Sequence, residues 1–258
     1  MTNTNARNKR LYEKKITVSE YAQTKLHTTE MLIFIKYREW ILRKTILDIG
    51  CGAGRTTLPL KNIGECYTGI DYSLDMIDVC KKRFPNARFL HADVRNMGIF
   101  KDKTFDFVLF SYNGLDSISH EDRVKGLREI RRVLKHDGLF VFSSHNRNCR
   151  FANSRPTLPL ALSPWVQVPS LLNYIRSSYN YARNKKQEHF EEEYAIINDK
   201  AHNFSLLTYY IDQKHQVSQL KKMGLEVIEM YDPYGNLLKP GDDDSNSAWI
   251  YYVTRQGK

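Results

Sequence analysis

Leu47-Asp48-Ile49-Gly50-Cys51-Gly52-Ala53-Gly54-Arg55 is the stretch that decides the fold. An apolar run, Thr45 to Ile49, enters a glycine turn directly, and Arg55 to Lys61 then has helical character. Glycines let the backbone turn tightly and approach a ligand closely, because no Cβ intervenes. In dinucleotide binders the spacing is G-x-G-x-x-G, and the third glycine packs helix against strand while a pyrophosphate lies on the helix N-terminus. Here the spacing is G-x-G-x-G, Asp48 precedes it, and Arg55 occupies the place of that third glycine. This suits a ligand with no pyrophosphate but with a cationic amino-acid end.

Outward from the turn, short apolar runs alternate with amphipathic ones, the signature of a parallel sheet covered by helices. Ser19 to Arg43 reads as a helix starting at Ser19 or Glu20, with Leu26, Ile33, Tyr37 and Trp40 near helical spacing. The second strand is Cys66 to Asp71; its helix begins at the N-cap Ser73, with Met76, Val79 and Cys80 on one face. The third strand, Ala87 to His91, leads into Ala92-Asp93-Val94, and Phe105 to Phe110 is apolar enough to lie mid-sheet. A helix over Glu121 to Lys135 turns Leu127, Ile130 and Leu134 inward and stops at Gly138, before a fifth strand, Leu139 to Ser143. From Asn146 to about Asn203 the rhythm breaks into an insertion, with a charged helix-like stretch from Tyr181 to Ile197. Regular order returns with helix Gln213 to Met223, stopped by Gly224, then strands Glu226 to Tyr231 and Ala248 to Thr254.

Asp71 ends the second strand, where a carboxylate can accept both hydroxyls of a ribose. With this acid and the turn together, the sequence resembles the class I S-adenosylmethionine (SAM)-dependent methyltransferases over roughly Thr45 to His145, with a compatible part from Gln213 to Thr254. The D-x-G-x-G-x-G pattern of that family is matched by Asp48, Gly50, Gly52 and Gly54. The resemblance implies a Rossmann-like, doubly wound α/β fold with a seven-stranded, mostly parallel sheet. It also implies that SAM lies against the segment Gly50, Cys51, Gly52, Gly54 and Arg55, with Asp71 on the ribose. Asp93, flanked by Ala92 and Val94, matches the acid near the adenine amine. Tyr72 and Met76 match positions flanking the adenine ring, and Ser111 lies where the family approaches the methionine moiety. Met76 is equally at home as a core residue, and Cys51 reads as a small buried one. The expected organisation is an N-terminal helical arm over 1–44 and a SAM-binding domain over 45–258 that carries the 146–203 insertion as a lid.

The 258 residues, 41% of them hydrophobic, suffice for one full core. Cys51, Cys66, Cys80 and Cys149 form no C-x-x-C pair and have no histidine at ligand spacing, so reduced thiols in a cytoplasm and no bound metal are expected. Residues 1–15 lack an apolar run, and Pro156 to Leu172 is too interrupted to span a bilayer, so no membrane partner is expected. The net charge of +10 favours an anionic partner, yet the basic residues are scattered as on a solvated surface. The acidic run Asp242-Asp243-Asp244 reads as solvated turn residues.

Methyl transfer is an in-line displacement, so alignment carries much of the rate, and a base is needed only where the acceptor must lose a proton. Ser111, Tyr112, Asn113, Asp116 and His120 follow the fourth strand, and Ser144, His145 and Asn146 the fifth, at the crevice of a doubly wound sheet. His145 is the best candidate base, its ordinary pKa being near neutrality, and Tyr112 the second catalytic candidate; either could instead pack at the crevice edge. The fourth-strand sequence Phe110-Ser111-Tyr112-Asn113-Gly114 lacks the Asp/Asn-Pro-Pro-Tyr motif of family members acting on DNA base amines, and the acid of magnesium-dependent catechol-type relatives. The insertion mixes Arg147, Arg150 and Arg155 with Trp165, Tyr174, Arg176, Tyr179, Tyr181 and Arg183, a set that could cover a phosphorylated or sugar-like acceptor or stay in water. The sequence therefore points to a methyltransferase acting on O or N of a small metabolite. An RNA methyltransferase and a non-catalytic SAM-binding scaffold are the alternatives, and the oligomeric state is open.

Overall fold

A computed structural model describes residues 25–159 and 163–257. The polar arm up to residue 18 and the expected helix start at Ser19 or Glu20 lie outside the described residues.

Strands β1 (Thr45–Ile49), β2 (Cys66–Asp71) and β4 (Phe105–Phe110) have the expected bounds, and β3 is Arg88–His91. They are joined by β5 (Leu134–Asn146), β9 (Leu225–Tyr231), β10 (Leu237–Leu238) and β11 (Trp249–Gln256) in the order β10-β9-β11-β5-β4-β1-β2-β3. From β3 to β5 neighbours run parallel, while β11 is antiparallel to both β5 and β9. The sheet is thus mixed, and the order reverses direction beside β1, which places the glycine turn at the switch point where doubly wound sheets open.

The helices are α1 (Thr28–Lys36), α2 (Arg38–Ile41), α3 (Thr57–Ile63), α4 (Leu74–Arg83), α5 (His120–Val133), α6 (Pro164–Lys185) and α7 (Gln213–Lys222). Side chains alternate across the central strands, so successive residues serve opposite faces. Phe107 and Leu109 pack with Ile33, Ile41, Leu60 and Ile77 on one side, and Val108 and Phe110 with Leu127, Ile130 and Leu220 on the other. Ser73 caps α4 by accepting from the Met76 amide, as its sequence suggests.

Four expectations are corrected. Among the described residues the sheet holds eleven strands, not seven, because the 146–203 segment and its continuation add β6 (His189–Phe190), β7 (Ala195–Ile197) and β8 (Thr208–Ile211), and β10 extends the far edge. The arm helix is two helices broken at Tyr37, and Leu26 precedes the first of them. Leu134 leaves the α5 face to open β5, where it pairs with Phe105, and Gly138 lies inside that strand. A Cβ at Gly138 would stand 2.7 Å from the Leu134 side chain, so the glycine permits a close bend and does not stop a helix. Finally, the helix of the insertion is Pro164–Lys185, not Tyr181 to Ile197. Pro169 costs it one backbone bond, which the long run behind it outweighs, whereas Ala195, Ile196 and Ile197 are buried and pair as a strand.

Candidate active site

The turn from Gly50 to Gly54 floors a cavity at the C-terminal ends of β1, β2 and β4, with an empty volume of about 1240 Å³ counted to its open mouth. Gly50, Gly52 and Gly54 all have positive φ (61°, 55° and 86°), a region that a side chain disfavours. A Cβ at Gly50 would meet the Phe110 ring at 2.8 Å, while at Gly52 it would touch only the Gly50 carbonyl oxygen, at 4.0 Å. Gly54 does not line the cavity; the space of its missing Cβ is taken by Phe84, so its role is to let α4 pack closely. Every other cofactor residue expected from sequence lines this cavity, as does Tyr112.

Two buried carboxyls stand there. Asp71 accepts from the Gly52 amide at 3.0 Å and the Ser73 amide at 2.8 Å, and burial pushes its pKa up to about 6 in spite of them. Asp48 accepts from Thr56 Oγ1 at 2.6 Å and the Tyr67 hydroxyl at 2.8 Å, and burial likewise raises it to about 6. It braces the turn from beneath. Asp93 is held by Arg95, whose Nε and backbone amide both donate to Oδ1 at 2.9 Å. Burial opposes its ionisation, but the Arg95 guanidinium outweighs burial and lowers its pKa.

The arm supplies a residue that sequence reasoning missed. Glu30 on α1 is 1% exposed and grips Arg55, whose Nη2 donates at 2.7 Å; the Ser111 hydroxyl donates to the same carboxylate. Burial would raise Glu30, yet Arg55 keeps it below the usual carboxylate range. Beside this group His27 stacks on Tyr112 at 5.2 Å between centroids and meets Trp249 edge-on, while the Arg55 guanidinium lies 5.1 Å from the Tyr112 centroid. The one available signal was Thr28-Thr29-Glu30, where Glu30 accepts from the His27 amide as in a helix start.

A second group lies past the end of β4 and in the last residues of β5. His145 does not line the cavity; it stands behind Asn113, which sits between the cavity residues Tyr112 and Gly114. Its Nδ1 lies 2.8 Å from Asp116 Oδ2, and its Nε2 lies 3.3 Å from Asn113 Nδ2 and 3.9 Å from Asp199 Oδ2. Asp116 is fully buried and also accepts from the His145 amide at 2.7 Å, from Ser144 Oγ at 2.9 Å and from Arg123. Arg123, itself fully buried, donates on to Gln216 at 2.7 Å and Gln219 at 3.2 Å. Burial disfavours the charged imidazole, but the Asp116 hydrogen bond and the charges of Asp116 and Asp199 prevail and raise the His145 pKa. With Nδ1–H given to the carboxylate, Nε2 is left as the acceptor, the orientation of an acid–histidine pair.

Tyr112 and Asn113 both have positive φ, 56° and 58°. Asn tolerates this conformation and Tyr rarely does, so the segment between the cavity and His145 is held under backbone strain. His120 is elsewhere, stacked on Tyr194 at 4.2 Å and bonded to the Tyr209 hydroxyl. Asp199 and Tyr210, which border His145, come from the insertion and from β8, where no motif marks them. Among the described residues no group of three or more His, Cys, Asp or Glu could hold a metal ion. Asp244 is buried, and Asp242 and Asp243 are exposed.

A switch-point cavity floored by a glycine turn, with a buried acid at the end of the second strand, defines a nucleoside-binding α/β enzyme. Residues 46–138 match the methyltransferase domain family. The chain is 25% identical over 233 residues to an uncharacterized protein of Methanocaldococcus jannaschii, covering 84% of this chain and 79% of that one. It is 28% identical over 174 residues to the ubiquinone/menaquinone biosynthesis C-methyltransferase of Campylobacter jejuni, covering 64% and 72%. The fold also superposes on Burkholderia thailandensis 1,6-didemethyltoxoflavin-N1-methyltransferase, solved with its substrate and S-adenosylhomocysteine, at TM-score 0.61 and 11% identity over 98% and 88% of the two chains. The methyltransferase-domain match over residues 46–138 and these similarities support a class I, Rossmann-like SAM-dependent methyltransferase, with SAM as the methyl donor.

Proposed function

We propose that the protein methylates a small acceptor that gives up a proton to His145, at oxygen or nitrogen. The observation that carries this reading is the His145–Asp116 pair: a histidine whose Nδ1 is engaged by a fully buried carboxylate and whose Nε2 faces the strained segment bordering the cavity. In this reading Gly50, Cys51 and Gly52 cradle the donor, which Gly52 fits because its Cβ position is clear of every side chain. Asp71 accepts from the ribose through the lone pairs its amide partners leave, and Asp93, Ala92, Val94, Tyr72 and Met76 surround the adenine. Arg55 and Glu30 offer a cation and an anion to the carboxylate and ammonium of the amino-acid end. Bound there, SAM supplies an electrophilic methyl group on a sulfonium. Tyr112 closes the wall beside it, and His145 takes the acceptor proton at Nε2.

The relationship to a quinone C-methyltransferase favours a second reading with the same residues. A base that removes a proton from a ring hydroxyl also makes the neighbouring ring carbon nucleophilic, so carbon would be the methylated atom. Product formation from SAM with phenols, aminophenols and a demethylated quinol, followed by location of the new methyl group, separates the two. Either reading expects His145→Ala to lower the single-turnover rate about 10²- to 10⁴-fold with SAM affinity retained. Because the free imidazole is the active form, wild-type rate should rise with pH through a pKa above the ordinary histidine value. A rate in His145→Ala equal to wild type ends the assignment.

A further inference from the structure

Helix α6 is built inside out. Among its described residues the fully buried ones are polar: Ser177 and Asn184 are buried, and Asn180 and Asn184 donate to the Asn203 and Phe204 carbonyls at 2.9 and 2.8 Å. Its apolar residues face solvent, with Trp165 90%, Val168 57%, Leu172 63%, Ile175 56% and Tyr179 66% exposed. Their spacing, alternately three and four residues, aligns them in one stripe along the helix. A surface helix of a globular protein arranges itself the other way round, and a contiguous exposed apolar stripe marks a surface that meets something else.

We propose that this stripe docks the protein on an anionic lipid bilayer, with α6 lying in the plane of the headgroups. Charge selects this occupant. Between Asn146 and Gln187 the sequence has no Asp or Glu, while Arg176, Arg183 and Lys186 are exposed and the whole chain carries +10. At helical spacing Arg176 and Arg183 follow Trp165 and Leu172 along one edge of the stripe, where they can reach phosphates as the apolar side chains enter the acyl boundary. Trp165 at one end and Tyr179 towards the other have the amphipathic rings that settle at headgroup depth. A second copy of the chain is disfavoured, because a two-fold contact through the stripe would oppose the same cations with no carboxylate in the segment to pair them. No helix among the described residues is long and apolar enough to cross a membrane, so this contact lies on the bilayer and does not span it.

The test is flotation of the full-length protein with phosphatidylcholine vesicles, with and without phosphatidylglycerol, at low and high salt. Wild type should bind the phosphatidylglycerol vesicles, bind pure phosphatidylcholine more weakly, and lose affinity as salt rises. Replacing Trp165, Leu172 and Ile175 together by Ser should cut partition about a hundredfold or more, and Arg176→Glu with Arg183→Glu about fivefold for each lost cation or more. Both variants alter exposed side chains, so an unchanged melting temperature shows that the fold is intact. Absence of vesicle binding by wild type overturns the proposal, as does equal binding by the triple variant. A concentration-dependent dimer that the triple variant abolishes, seen by sedimentation without vesicle binding, would make the stripe an interface between copies instead.

Discussion

The two halves of the crevice are built differently. The donor half is made from contiguous chain: one strand, its glycine turn and the acid ending the next strand, with backbone amides of Gly52 and Ser73 fixing Asp71. The half proposed to take the acceptor is made from side chains that meet across the whole sequence: Asn113 and Asp116 after β4, His145 in β5, Asp199 from the insertion, Tyr210 in β8, and Arg123 and Gln216 from two helices. A backbone cradle needs only spacing and glycine. A side-chain network needs each element placed first, and its buried charges make it the more fragile half.

The contrast can be broken from the acceptor side. Asp116→Asn leaves Arg123 buried without its carboxylate and should cost about 3–5 kcal/mol of stability, read as a lower denaturant midpoint, while SAM affinity measured on the folded protein stays within about twofold. An equal loss of SAM affinity would show that the halves are one unit. Next in size, Glu30→Gln strands Arg55, which is 9% exposed, and should cost about 2–3 kcal/mol together with weaker SAM binding, because α1 and the cavity share this pair. Unchanged calorimetric affinity would confine Glu30 to holding the arm.

From the donor side, Asp71→Ala should weaken SAM about 10- to 100-fold, as expected for loss of charged hydrogen bonds, without moving the pH profile of the single-turnover rate. The smallest effect is that of acid. Burial has raised Asp71 to about 6, so lowering pH from neutrality through that value protonates the carboxylate that would accept the ribose. SAM affinity should therefore fall about tenfold by one pH unit below the pKa, and in Asp71→Ala that fall should disappear.

This division also explains what could be read from the sequence. Asp48, Gly50, Gly52, Asp71 and Asp93 stand at fixed distances along the chain, and they line the cavity as expected. His145 and Asp116 were each visible as residues beyond a strand end, but their pairing required the parallel register of β4 and β5. Arg123 and Asp199 gave no signal, and Glu30 only that of a helix start, since a charged residue on a helix or in a loop reads as solvated until packing encloses it. The helix of the insertion was misplaced for a related reason. Its face towards the protein is polar, so periodicity could not distinguish it from the charged stretch that follows.

Strand β8 pairs in parallel with β5 at two rungs only, His145 with Tyr210 and Asn146 with Ile211. These partners are far apart in the chain, so β8, although it pairs locally with β7, has nowhere on the main sheet to attach until β5 is seated between β4 and β11. The order of assembly follows: the nucleoside side of the crevice can form early from near neighbours, and the imidazole receives its final surroundings late, when a long loop closes. In native-state hydrogen exchange the amides of β8 should open at lower free energy than those of β1 and β4. The part proposed to receive the acceptor would then be the part that first comes loose on warming.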